Sequence, residues 1–135
     1  MTATLNVGEF KSKFLSIDIV GVASAAAAGQ GSIANPFGES VNILRAYLVP
    51  SVVSTGAANL SIGITTAAAT ATDILNADAM NDVTVNKPIN CFANDPGAKT
   101  VMVPAIWTSA LYLTFTASAT LVGFVGTLYL EVLRD

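Results

Sequence analysis

LVGFVGTLYLEVLRD, residues 121–135, is the stretch that decides the fold. From Gly126 the even positions are Gly126, Leu128, Leu130 and Val132, and the odd ones are Thr127, Tyr129, Glu131 and Leu133. A period of two, rich in β-branched and aromatic residues, marks a strand with one buried and one wetter face. Such a strand is expected to lie locked inside a sheet. Because one strand has no independent stability, it predicts partners elsewhere in the chain.

Four further segments supply them. Residues 14–22 carry Leu15, Ile17 and Ile19 on one face and Ser16 and Asp18 on the other. In residues 41–49, Leu44, Ala46 and Leu48 alternate with Ile43, Arg45 and Tyr47, and Pro50 is expected to end the strand or to mark an edge or bulge. Leu60, Ile62 and Ile64 alternate with Ser61 and Gly63, and Ser54-Thr55-Gly56 turns the chain into that strand. In residues 110–117, Leu111, Leu113 and Phe115 stand against Tyr112, Thr114 and Thr116. The matched alternation predicts one inward face made of Leu44, Leu48, Leu111, Leu113, Leu128, Leu130 and Val132.

The remaining segments are weaker. Residues 1–13 read as an arm, with Leu5, Val7 and Phe10 spaced among polar residues and two lysines, and residues 14–135 as a single domain. The alanine-rich run 23–32 predicts a loop, since it is short and closed by Gly-Gln-Gly. Asn35-Pro36-Phe37-Gly38 and Asn94-Asp95-Pro96-Gly97 are turn chemistry. Thr72 is placed to cap a short helix over residues 73–80. Residues 83–91 offer strand fragments split by Pro88, and residues 100–107 a strand carrying Val101 and Val103. Strands are not interleaved with helices, which disfavours a parallel α/β sheet. The expectation is an all-β, antiparallel β-sandwich of jelly-roll type with at most one short helix.

Composition narrows the function. The chain of 135 residues is 53% apolar but only 11% charged, against about a quarter in a typical globular domain. With so little polar skin, part of the surface is expected to be covered, most simply by further copies of the chain. A mean hydropathy of +0.62 raises the possibility of a membrane, but the run from Leu121 to Leu130 is too short to span and Glu131 interrupts it. No charged and apolar leader pattern opens the chain, so no signal peptide is expected. A net charge of −3 and six scattered cations argue against nucleic acid.

Chemistry is sparse. Without histidine, the Ser-His-Asp and Cys-His mechanisms and imidazole metal sites fall away, and no enzyme activity and no cofactor are expected. Cys91 is single, with no lysine pair or helix start nearby to activate it, and reads as a small buried hydrophobe in a protein made in a cytoplasm. Asp73, Asp78 and Asp82 lack the D-x-D-x-D-G order of a calcium loop and read as a solvated acidic segment. Tyr47, Tyr112 and Tyr129 sit on the wetter faces of three strands, either as a sugar-stacking platform or as cross-strand packing. Trp107 is either a core cap or an interface anchor. Phe37, beside the rigid Pro36, either plugs the core end or meets a partner. The candidate partner contacts are therefore Leu5, Val7, Phe10, Pro36, Phe37 and Trp107.

Three stretches together resemble small virion proteins of tailed bacteriophages, of the kind assigned as head decoration (cement) proteins. They are NPFGESVNILRAYLVP at 35–50, TGAANLSIGITTAAATATDILNA at 55–77 and ASATLVGFVGTLYLEVLRD at 117–135. The resemblance implies a β-rich protein, often trimeric, that sits on the outside of the capsid lattice and braces neighbouring major capsid subunits. It carries over no functional residue. The alternative is a carbohydrate- or receptor-binding module of a fibre or tail.

Overall fold

The computed structural model describes residues 12–92 and 105–134. The expected contacts Leu5, Val7 and Phe10, the turn at 94–97 and most of the strand expected over 100–107 lie outside the described residues. Among the described residues nine strands form two antiparallel sheets: β1 (Ser12–Val20), β2 (Gly31–Ala34), β3 (Val41–Val52), β4 (Asn59–Thr65), β5 (Leu75–Ala79), β6 (Ile89–Asn90), β7 (Ala105–Trp107), β8 (Tyr112–Ala117) and β9 (Val125–Arg134). One sheet runs β1-β9-β3-β6, with β7 also on β3, and the other runs β2-β8-β4-β5. Counting β6 and β7 as one interrupted strand, this is the strand order of an eight-stranded jelly roll. Ser12 and Lys13, expected in the arm, already belong to β1.

The last strand is the organising one. β9 pairs with β1 on one side, from Ser12↔Leu133 to Val20↔Val125 without a break, and with β3 on the other. Its even positions Leu128, Leu130 and Val132 are buried, and at Gly126 the missing side chain leaves room for the Phe124 ring. Facing them from the second sheet are Leu60, Ile62, Leu113 and Phe115, which share one core with Trp107, Leu121 and Phe124. Each large apolar side chain buried here contributes about 1.5–3 kcal/mol.

Two expectations about the faces are corrected. In β3, Ile43 is fully buried and Leu44 only half so, the reverse of the sequence reading. The cause is a β-bulge: Ile43 pairs with Val132 and Arg45 with Glu131, so Leu44 is an extra residue and the alternation slips by one. Before the slip Val41 and Ile43 point inward, and after it Ala46 and Leu48 do. Leu111 is also half-buried rather than core, because β8 begins one residue later.

Pro50 does not end β3, which runs on to Val52 past a second bulge. Ala46 and Pro50 turn their carbonyls away from β9, accepting from the Cys91 and Asn86 N–H groups at 2.8 and 2.7 Å. The N–H that Pro50 lacks would point that way too, so the ladder to β9 loses nothing.

The helix expected over 73–80 is instead a turn and strand β5, and no described residue is helical. Asp73 caps no helix; its Oδ2 accepts the Ile64 N–H at 2.7 Å. Ala77, with φ of 51°, is the extra residue of a bulge against β4 and breaks the alternation there. β2 begins inside the run read as loop, at Gly31 and Ser32, and runs on to Ala34.

Replacing Ile43 or Leu130 by Ala is expected to cost about 2–5 kcal/mol in a urea unfolding titration, and Leu44→Ala clearly less. Equal losses for Ile43→Ala and Leu44→Ala would contradict the bulge.

Candidate interaction surface

The two sheets treat their outer faces differently. On the four-stranded sheet, Thr70 and Ala71 lie against the outer face, at Thr116 and Gly63. A Cβ on Gly63 would stand 2.4 Å from the Ala71 carbonyl carbon, so the absence of a side chain admits the crossing segment. Thr114, on that outer face, is fully buried and its hydroxyl donates to the Gly63 carbonyl at 3.4 Å. Thr70 and Thr116 meet at 3.2 Å, and Thr116 Oγ1 also accepts the Ala28 N–H at 2.9 Å.

The five-stranded sheet has no such cover among the described residues. Its outer residues stand in rows across β3, β9 and β1: Arg45, Glu131 and Phe14; then Tyr47, Tyr129 and Ser16; then Val49, Thr127 and Asp18; then Val52, Val125 and Val20. Phe14 is 76% exposed, Val20 66% and Tyr129 48%, and Ile106 of β7 adds a further exposed side chain beside Asn42. Exposed apolar groups gathered on one face mark an interaction surface more often than a solvated one. Its charges are largely spoken for: Arg45 Nε meets Glu131 Oε1 at 2.9 Å, Ser12 donates to Glu131 Oε2 at 3.0 Å, and Thr127 donates to Asp18 Oδ1 at 3.2 Å. With Arg45 largely in water, this pair contributes little stability. It leaves the face apolar and nearly neutral.

The sequence-predicted contacts fall elsewhere. Trp107 is fully buried, and its Nε1 donates to the Leu111 carbonyl at 3.0 Å, so within this chain it is a core residue. Phe37 packs edge-on to Trp107 with ring centroids 6.4 Å apart, under the Arg134 guanidinium, which itself pairs with Glu39. Asn35 holds this turn by accepting the Phe37 N–H at 2.8 Å and donating to the Glu39 and Trp107 carbonyls, both at 2.9 Å. Phe37 is thus a half-buried plug, and Pro36 is the exposed tip of the turn.

Tyr47 and Tyr129 are direct cross-strand partners, whereas Tyr112 belongs to the other sheet. Asp78 is buried in β5 and Asp73 serves the Ile64 backbone; among the described residues no group of three or more Asp, Glu, Cys or His is placed to hold a metal ion. Cys91 is buried. Sequence reasoning missed the bare sheet because alternation tells the two faces of a strand apart but not which outer face another segment covers. No family model, curated protein or solved structure matches this chain.

Gly63→Ala is expected to lower stability by about 1–3 kcal/mol as the crossing segment is forced off its sheet. Gly56→Ala, where an added Cβ meets nothing within 4 Å, serves as the control and changes stability by no more than about 0.5 kcal/mol. Equal denaturation midpoints for the two variants would show that the segment at Ala71 does not pack on Gly63.

Proposed function

We propose that this chain is a non-enzymatic virion structural protein, an oligomer that binds and stabilises the outside of a bacteriophage capsid lattice. Its partner is the major capsid protein, and it reaches the capsid surface after synthesis in the host cytoplasm. The observation that carries this reading is the outer face of the five-stranded sheet, apolar and nearly neutral beside a second sheet whose outer face is covered. The sequence resemblance supplies the class of partner. The jelly-roll order agrees with it only as fold-level analogy, since lectin domains share that architecture.

Phe14, Tyr129 and Ile106 take the role of contact residues, with Pro36 at the rim. Leu5, Val7 and Phe10 belong to the same proposal on sequence grounds, as apolar groups in a segment too polar to build a core. Few free charges take part, so binding resists salt better than an electrostatic contact does.

A second reading has its own observation. Tyr47 and Tyr129 lie side by side on the open face, an arrangement on which a sugar ring can stack. It makes the chain a carbohydrate- or receptor-binding module of a fibre or tail.

Co-sedimentation with empty phage capsids separates the two. Phe14→Ser and Tyr129→Ser are each expected to weaken retention about tenfold, a loss of about 1.4 kcal/mol, at low and high salt alike. Deletion of residues 2–10 is expected to weaken it as well. Retention unchanged in all three variants, or a parent washed off by moderate salt, contradicts the proposal. Binding to immobilised glycans that Tyr129→Ser abolishes, without capsid retention, favours the second reading.

A further inference from the structure

We infer that two copies of this chain pair edge to edge through β1, antiparallel about a two-fold axis at Ile17, joining their five-stranded sheets into one. The inference rests on the edge of the sheet and not on the capsid-binding reading.

β1 is the outermost strand of its sheet, with β9 as its ladder partner. It is nine residues long, while the other edge strands, β2, β5, β6 and β7, have two to five. Natural sheets blunt long edges with proline, bulges or inward-pointing charges. β1 has no proline and its register with β9 is unbroken; of its inner residues Leu15, Ile17 and Ile19 are apolar, and the one charge, Lys13, stands at the start of the strand, outside the span Phe14 to Val20.

The direction of the free backbone groups follows from the ladder. Gly21 donates to the Phe124 carbonyl at 2.8 Å, in step with the β1–β9 register. Backbone groups alternate sides along an antiparallel strand, so the odd residues of β1 turn theirs to β9 and Phe14, Ser16, Asp18 and Val20 turn theirs outward. The free edge stops at Val22, where the Gln30 side-chain amide accepts from its N–H at 2.8 Å and donates to its carbonyl at 2.9 Å. From Phe14 to Val20 no described residue pairs with the edge.

That edge is complementary to itself. With the two-fold at Ile17, Phe14 stands opposite Val20 of the second copy, and Ser16 opposite its Asp18. The outward-turned residues then exchange hydrogen bonds with one another, and the two Ile17 residues form the non-hydrogen-bonded pair on the axis. Phe14 and Val20, the two most exposed large apolar side chains among the described residues, meet across the junction. Each Asp18 carboxylate meets a serine hydroxyl. Moving the axis to Asp18 would set two carboxylates face to face, and moving it to Ser16 would set Phe14 against Asp18. On the inner side, Ile17 and Ile19 of each copy line a cleft of about 310 Å³ between β1 and β2, with Ile33 and Phe115.

A contact of this symmetry makes a dimer, in place of the trimer that the sequence resemblance implies. Sedimentation of the full chain is expected to give twice 13.8 kDa at micromolar concentration. Ser16→Pro removes an outward N–H that β9 does not use, and is expected to give a folded monomer. In the presence of an oxidant, Ile17→Cys is expected to form an interchain disulfide several-fold faster than Val20→Cys. A pair on the axis has Cα atoms about 4.5 Å apart, within bridging range, whereas Val20 faces Phe14 of the other copy. A monomeric or trimeric parent, a Ser16→Pro variant that stays dimeric, or a Val20→Cys variant that cross-links as fast as Ile17→Cys overturns the inference. None of these outcomes bears on capsid retention, which Tyr129→Ser, on β9 and away from the paired edge, tests separately.

Discussion

The structure depends on one strand being paired along both of its edges. β9 holds β1 through nine consecutive register pairs and β3 through a longer, twice-bulged ladder. The chain must therefore bring residues from its beginning and its middle to residues near its end before the five-stranded sheet exists. Contacts so distant in sequence carry a loop-closure cost and make for slow folding. They also bury Leu128, Leu130 and Val132 against the second sheet, and that burial has to outweigh the ordering cost.

From that pairing follows the difference between the two outer faces. A strand flanked on both sides fixes every side chain of its row, so Tyr129 is set beside Tyr47 and Glu131 beside Arg45. The first β3 bulge keeps this alignment while letting an extra leucine into a central strand, and Pro50 fits because the N–H it lacks would face away from β9. The second sheet is finished differently. The segment through Thr70 and Ala71 crosses it, the space at Gly63 admits Ala71, and Thr114 is buried on that face. Among the described residues most of the exposed large apolar side chains thus gather on one sheet face, Phe14, Val20, Val52, Ile106, Val125 and Tyr129, beside an unpaired strand edge.

Much of this was legible in the residues. The period-two runs of β1, β3, β4, β8 and β9 found the main strands, and the absence of interleaved helices pointed to the sandwich. What escaped did so for physical reasons. VNILRAYL is apolar in both phases, so nothing in it marks Leu44 as the bulged residue. Asp73 and Thr72 have the chemistry of a helix start, but the Ile64 N–H across the sheet claims the carboxylate. β2 is short and follows an alanine run whose composition carries no period. Trp107 and Phe37 were readable as either core or contact, and only the burial of one against the other decides for the core end. The bare face was not readable, because its exposure depends on where a distant segment crosses.

If the outer face of the five-stranded sheet is the contact surface, binding must hide it while leaving the covered sheet unchanged. Hydroxyl-radical footprinting of the chain, free and bound to empty capsids, reads this residue by residue. The account predicts that oxidation of Phe14 and Tyr129 falls sharply on binding while that of Tyr112, on the other sheet, stays as in the free chain. Unchanged oxidation of Phe14 and Tyr129 on capsid-bound protein would contradict it.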